Sequence, residues 1–292
     1  MFDASVFTDE ISQDFEEACR TAHEAGLRYV DIRNAWGKSC AVMDRNDWQR
    51  MAEIMQRYEL RMGCIQSPFG KCDMTDEAYA VHLGYLDNLI ALAHFFGTNV
   101  IRIFPFWNPD RSNVRVREST RQRLPEIAER LGIAARKAEA EGVYLALEPE
   151  HSTHSGTCSE IRLIIDAVSS PALAVAWDVA NGWTWDEPIF PDGYERVRGL
   201  VRNVHVKERA AAPVPPGQEP PPRRHMLLGQ GVMPWPEIIR RLREDGYQGV
   251  FSIETHFGTR GPFGWQKLKA ATTYYMYALR ELLEPAMGEP RP

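Results

Sequence analysis

Eight short apolar runs alternate with eight longer amphipathic segments along this chain, and that rhythm leaves few folds open. The runs are Ala4–Phe7, Tyr29–Ile32, Met62–Ile65, Val100–Phe104, Val143–Leu147, Ala172–Trp177, Val201–Val206 and Val250–Ile253. Each is too short for a helix and is bounded by turn signals, as expected of strands buried on both faces of a parallel sheet. The segments between them carry helical spacing. Ser12 opens one with Phe15, Ala18, Cys19, Ala22 and Ala25 on one face, closed by Gly26; Asp47–Tyr58 places Trp48, Met51, Ile54 and Met55 together. Asp76–Phe96, Glu118–Glu141 and Trp235–Asp245 each run into a glycine, while Ser159–Val168, a helix within 192–200 and Lys267–Leu283 complete the set. Strict alternation predicts parallel strands joined by crossover helices. Eight such units predict an α/β fold, a single closed (β/α)8 barrel over residues 1–284, with 285–292 as a tail. An open doubly wound sheet is the alternative, but no G-x-G-x-x-G or P-loop follows the first strand.

Composition narrows the partners. The formal net charge is −6 with ordinary globular hydrophobic content, so neither nucleic acid nor anionic lipid is expected to bind. No apolar run approaches a membrane span, and the opening MFDASVFTDE has neither the basic nor the apolar part of a signal peptide. Five cysteines without a C-x-x-C pair fit reduced thiols, and a cytoplasmic location is expected. A proline-rich loop at 209–225, after the seventh strand, is either a surface insertion or a lid or subunit contact on the active-site face.

In a parallel barrel the chemistry sits at the C-terminal ends of the strands. There the fifth to eighth strands supply Glu148, Asp178, His205 and Glu254. Any one of them alone reads as a salt bridge. Three carboxylates and an imidazole on four successive strands read instead as ligands of one divalent cation. The oxygen-rich set suits Mn²⁺ first or Mg²⁺, with Co²⁺ or Zn²⁺ as alternatives. Positions left open by four protein ligands would take a substrate carbonyl and its neighbouring hydroxyl. The cation would then polarise the carbonyl and acidify the adjacent C–H.

The motifs around these residues are LEPEH (Leu147–His151), WDVANGW (Trp177–Trp183), NVHVKE (Asn203–Glu208), LGQG (Leu228–Gly231) and GVFSIETH (Gly249–His256). With TDEIS at Thr8–Ser12, they make the chain resemble, over nearly its whole length, the sugar phosphate isomerase/epimerase group of xylose isomerase-like TIM barrels. That group includes hydroxypyruvate isomerase, tagatose/psicose 3-epimerase, inosose dehydratase and, more distantly, endonuclease IV. The resemblance implies the same four metal ligands, with Glu148 and Glu254 as acid and base on opposite faces of a metal-bound enediolate. Isomerisation, epimerisation, or β-elimination on a keto-inositol or 3-keto-glycoside are the outcomes such chemistry allows. The chain departs from the group's pattern in reading Glu148-Pro149-Glu150-His151 where E-N-H stands, Asn181 where D-x-x-H ends, and Ala211 six residues past His205, with Arg209 the nearest substitute. Only eight histidines and an acidic surface suit a three-zinc nuclease poorly.

Substrate contacts are expected from Lys71, Glu150, His151, Asn181, Lys207, His256 and Trp107. Lys207 lies one strand repeat past His205, on the same face. His151 and His256 are proton shuttles or partners of the ligands, whereas His154 reads as structural. Arg33 and Arg102 follow the second and fourth strands, and parity leaves their direction open. Phe104, Phe106, Trp183 and Trp185 either stack on sugar or fill loop cores. No glycine-rich phosphate turn follows strands seven and eight, so an unphosphorylated carbohydrate is the expected substrate. Family analogy implies an even-numbered homo-oligomer, dimer or tetramer; a partner subunit and a catalytically silent scaffold are the rival readings.

Overall fold

A computed structural model describes residues 2–112, 114–181, 187–210, 225–258 and 263–284. Its strands are β1 (Asp3–Val6), β2 (Tyr29–Ile32), β3 (Arg61–Gln66), β4 (Val100–Ile103), β5 (Tyr144–Leu147), β6 (Leu173–Asp178), β7 (Val201–Val206) and β8 (Val250–Ile253). They pair in parallel around one sheet, with β1 beside β8 and β2 beside β3. The β1–β2 seam is closed by a single parallel bridge, Phe7 to Asp31. The helices are α1 (Phe15–Glu24), α2 (Arg45–Arg57), α3 (Asp76–Phe96), α4 (Glu118–Ala140), α5 (Cys158–Val168), α6 (Tyr194–Val197), α7 (Trp235–Glu244) and α8 (Gly264–Leu283). This is the expected (β/α)8 barrel. A two-residue hairpin, Asn34–Ala35 with Lys38–Ser39, decorates the β2 loop.

The differences from expectation are local. Asp14, not Ser12, caps α1: its carboxylate accepts the Glu16 amide at 2.9 Å, while the Ser12 hydroxyl accepts the Asp14 amide at 3.1 Å. A carboxylate is also the better partner for a helix N-terminus. The sixth helix shrinks to one turn, because Pro188 and Pro191 precede it and Gly199 follows. The expected lid or contact segment 211–224, Trp183, Trp185, Ala211 and the tail lie outside the described residues. Among the described residues no helix is long and apolar enough to cross a membrane.

Alternation along each strand divides the core in two. One side packs Val6, Ile32, Ile103, Leu147, Val175, Val206 and Ile253 against the helices. The barrel interior holds the small residues Cys64, Val100, Ala146, Ala174 and Ala176 as a separate cluster. Polar residues fill the opposite interior wall. Ser5 and Ser252 hydroxyls meet at 2.9 Å, Asn203 donates to Ser252 at 2.7 Å, and Gln66 donates to Asn203 at 3.2 Å and Asp31 at 3.0 Å. Burial pushes the Asp31 carboxyl above its ordinary range. These bonds link the floor from β1 across β8 and β7 to β3 and β2, and the residues one repeat further along the same strands rise from it into the mouth.

Candidate metal centre

The strand parity that buries Ala146, Ala176, Asn203 and Ser252 also aims Glu148, Asp178, His205 and Glu254 inward. Glu148 and Glu254 sit one position past β5 and β8, their amides still bound to Ile103 and Val206 carbonyls at 3.2 Å. Ligand atoms from all four residues lie within 4.8 Å of one another, and all four are buried. His205 Nδ1 faces Glu254 Oε2 at 3.4 Å and Glu148 Oε2 and Asp178 Oδ2 at 3.8 Å. Neither ring nitrogen of His205 has a hydrogen-bond partner among the described residues, although the side chain is fully buried. Phe7 packs its ring edge-to-face on the imidazole, centroids 5.2 Å apart, and so fixes the ring plane. An orphaned buried imidazole encircled by three carboxylates fits the donor set of a divalent cation.

Cationic side chains grip the same carboxylates. Lys207 Nζ lies 2.5 Å from Asp178 Oδ2 and 2.6 Å from Glu254 Oε2. Arg102 reaches Glu148 Oε2 at 2.8 Å, and Arg33 bridges Glu254 Oε1 at 2.6 Å and Asp9 at 2.8 Å. Burial alone would push the Asp178 carboxyl up; Lys207 and His205 overcome it and hold it well below the usual range. Glu254 is held low in the same way, by Lys207 and then His256. Burial pushes His205 down, but Glu148, Asp178 and Glu254 drive it up to about 9 in the metal-free protein.

Asn181 and His256, both expected at the site, hold the two glutamates in place. Asn181 donates to Glu148 Oε1 at 3.0 Å. His256 lies with Nε2 at 3.2 Å from Glu254 Oε1 and Nδ1 at 2.9 Å from Glu10 Oε1. Its backbone is left-handed, φ 50°, and is braced where the Glu10 carboxylate accepts the Thr255 and His256 amides. Glu10 has no role in the sequence reading. The acidic pair after the first strand was its signal, since that strand end opens onto the same mouth.

A second cluster forms further out. Glu150 pairs with His151 at 2.7 Å and with Lys71 at 3.9 Å, and Lys71 stands 4.1 Å over the Phe104 ring. Trp107 bridges to Thr153 at the rim and is more than a third exposed. Phe106 is buried and has a left-handed φ of 70°. His154 is buried too, 3.1 Å from the Thr120 hydroxyl and away from the four inner residues, as a structural histidine should be. The Arg209 side chain turns back to the Ala180 carbonyl at 3.0 Å. Glu208 pins the chain on either side of the proline-rich segment, accepting the amides of Arg209, Gly229 and Met233 at 3.0–3.2 Å.

Comparison with known proteins agrees with this architecture. The family model for xylose isomerase-like TIM barrels matches residues 19–273. Similar solved structures include a xylose isomerase-like TIM barrel protein from Mycobacterium smegmatis in complex with magnesium, at 19% identity, covering 97% of this chain and 98% of that one, TM-score 0.70. The 3-keto-D-glucoside 4-epimerase of E. coli superposes at TM-score 0.72, with 16% identity and 97% and 98% coverage. A probable 3-DHS dehydratase from Bacillus anthracis gives TM-score 0.68, with 18% identity and 95% and 98% coverage.

Proposed function

Because the chain belongs to the xylose isomerase-like TIM barrel family, we propose that it is a divalent-metal-dependent isomerase or epimerase of a keto-sugar or related polyol. Glu148, Asp178, His205 and Glu254 would hold the cation, Mn²⁺ by preference over Mg²⁺, Co²⁺ or Zn²⁺. Bound there, it would polarise a substrate carbonyl and acidify the C–H beside it. The observation that carries this reading is the orphaned His205 imidazole at the centre of three buried carboxylates.

Glu148 and Glu254 are the proton carriers of the reading. They approach from β5 and β8, with the intervening strands supplying Asp178 and His205. A proton removed by one and returned by the other changes configuration; returned to the neighbouring carbon, it moves the carbonyl. Asn181 steadies Glu148, and Arg33 with His256 steadies Glu254. Such bracing keeps a proton-transfer group within reach of its target. Lys71, Glu150 and His151 would bind substrate hydroxyls at the outer end, with Trp107 offering an aromatic face at the rim. Two relatives support a carbohydrate or polyhydroxylated ring as substrate: a 3-keto-glucoside epimerase and a probable dehydratase.

Elimination is the second reading, and one observation favours it. His256 is bound to Glu254, one of the four inner residues, yet its side chain is 37% exposed. An acid placed there would reach a leaving hydroxyl or alkoxy oxygen.

Metal content per chain, measured on protein purified without chelator, tests the core of the proposal. About one transition metal per chain is expected for wild type, with a clear reduction in Glu254→Gln. Ketoses, keto-inositols and keto-glycosides would then be screened for deuterium uptake from solvent. Failure to bind Mn²⁺, Mg²⁺ or Co²⁺ after reconstitution refutes the metal site; metal without deuterium uptake or elimination in any of these classes refutes the substrate assignment.

A further inference from the structure

The carboxylate oxygens nearest His205 Nδ1 on β6 and β8 are Asp178 Oδ2 and Glu254 Oε2. These same two atoms hold the Lys207 ammonium, at 2.5 and 2.6 Å. Lys207 and His205 leave β7 two positions apart on one face, so both arrive at the same point from one strand. The Lys207 side chain is 1% exposed, and its described contacts are these two carboxylates. The two arginines differ. Arg102 is also tied to the Gln66 and Ser67 carbonyls at 3.0 and 3.1 Å, and Arg33 to Asp9. Their guanidinium groups are fixed by the frame, whereas the ammonium is held by the ligand oxygens themselves.

We propose that Lys207 is a built-in counter-cation of the ligand cluster and competes with the metal for Asp178 and Glu254. The inference rests on the metal reading above and deepens it. Buried carboxylates this close repel one another and persist only when compensated. Lys207 supplies that compensation in the metal-free barrel, which therefore stays folded with its ligands gathered. A divalent ion needs the lone pairs that the ammonium occupies, and a cation beside it is also repelled. Entry of the metal therefore turns the ammonium away, which the flexible four-carbon stem of lysine allows and a frame-anchored arginine would not. The apparent metal affinity of the protein is then lower than its donor set would otherwise give.

The sign of one substitution tests this. Mn²⁺ is titrated calorimetrically into the full chain, stripped with chelator, as wild type and as Lys207→Met. Competition predicts Mn²⁺ binding at least roughly tenfold tighter in Lys207→Met, the factor associated with losing one charge-assisted hydrogen bond. It also predicts a lower melting temperature without metal and a larger rise on adding Mn²⁺. A lysine that merely organises the ligands predicts weaker binding, so equal or weaker affinity in the variant overturns the proposal. If Lys207→Met does not fold without metal, Lys207→Gln keeps a donor without the charge and carries the same prediction. Wild type that binds Mn²⁺ and loses it in Asp178→Asn, while neither Lys207 variant gains affinity, refutes the competition alone. Wild type that binds none of Mn²⁺, Mg²⁺ or Co²⁺ refutes the metal reading and this inference with it.

Discussion

Glu160→Gln should lower the melting temperature by about 5–8 °C, because it breaks a salt bridge with no access to water. Arg117 and Glu160 are both fully buried, at the starts of α4 and α5. The guanidinium donates from Nε to Glu160 Oε1 at 2.9 Å and from Nη2 to Oε2 at 2.7 Å. Its other donors hold backbone carbonyls of the mouth loops: Asp110 at 2.9 Å, His151 at 3.0 Å, and Thr153. Glu160 in turn accepts the amides of Arg117 and Gly156 and the Thr120 hydroxyl. The pair thus ties the loop carrying Glu150 and His151 to the helix layer. Removing the charge from one member leaves the other buried and uncompensated, a loss of about 3–5 kcal/mol. An unfolding entropy of about 2.1 cal/mol/K per residue gives about 0.6 kcal/mol/K for this chain length, which sets the temperature shift. Differential scanning calorimetry at one fixed scan rate measures it. The double variant Arg117→Met/Glu160→Leu should recover much of the loss, since an apolar pair leaves no stranded charge. A shift under about 2 °C in Glu160→Gln, or a double variant as unstable as the two singles summed, would refute the reasoning.

Three other outcomes follow from particular contacts. A Cβ at Gly70 would come within 1.7 Å of the Phe104 carbonyl oxygen, whereas Gly97, also left-handed, has nothing within 4 Å; Gly70→Ala should therefore melt well below Gly97→Ala, and equal melting points would contradict it. His154 is pushed down to about 4 by burial and by Arg117, so its contribution is fully present above pH 6.5 and is lost as the pH falls toward 4; His154→Asn should flatten the stability profile in that window, as urea unfolding at pH 4–7 would show. All five cysteines are buried, and burial pushes Cys40 up to about 12 and Cys72 up to about 11. Ellman's reagent should titrate less than about one thiol in the native chain and all of them in denaturant; rapid native reaction would mean an exposed thiolate.

The barrel was legible because parallel strands and crossover helices impose two different periods, and both survive in a bare string of residues. Asp76–Phe96 and Val201–Val206 were bounded to the residue, since Thr75 caps the first and Gly97 ends it in a left-handed turn. The four inner residues were legible for the same reason: one position at the end of each of four successive strands. Their companions were not. Arg33 turns inward by simple alternation from Asp31, which bonds Gln66 inside the barrel, but the run Tyr29–Ile32 does not reveal that its one acidic residue is the interior one. Glu10 reaches the site only because the turn Thr8–Glu10 bends back under the β8 loop. Arg117 looks like an ordinary basic residue before a helix. Its burial arises from loops some 40 residues away in sequence that fold over it.

The charges at the mouth follow a rule that connects these cases. Strands β5, β6 and β8 deliver the carboxylates Glu148, Asp178 and Glu254, while β2, β4 and β7 deliver Arg33, Arg102 and Lys207. Each of these three carboxylates has a cation within 2.8 Å, as the cost of an uncompensated charge requires. A strand-end acid in such a barrel therefore implies a strand-end base on another strand, even before either one's direction is known. The ambiguous parity of Arg33 and Arg102 could have been resolved by that requirement, because three acids converging on one imidazole cannot stay ionised without partners. Arg33, Arg102 and Lys207 balance those three acids, and the fully buried His205 ring nitrogens, 3.4–3.8 Å from the same oxygens on the Nδ1 side and without a hydrogen bond among the described residues, are the donors left for a cation from outside the chain.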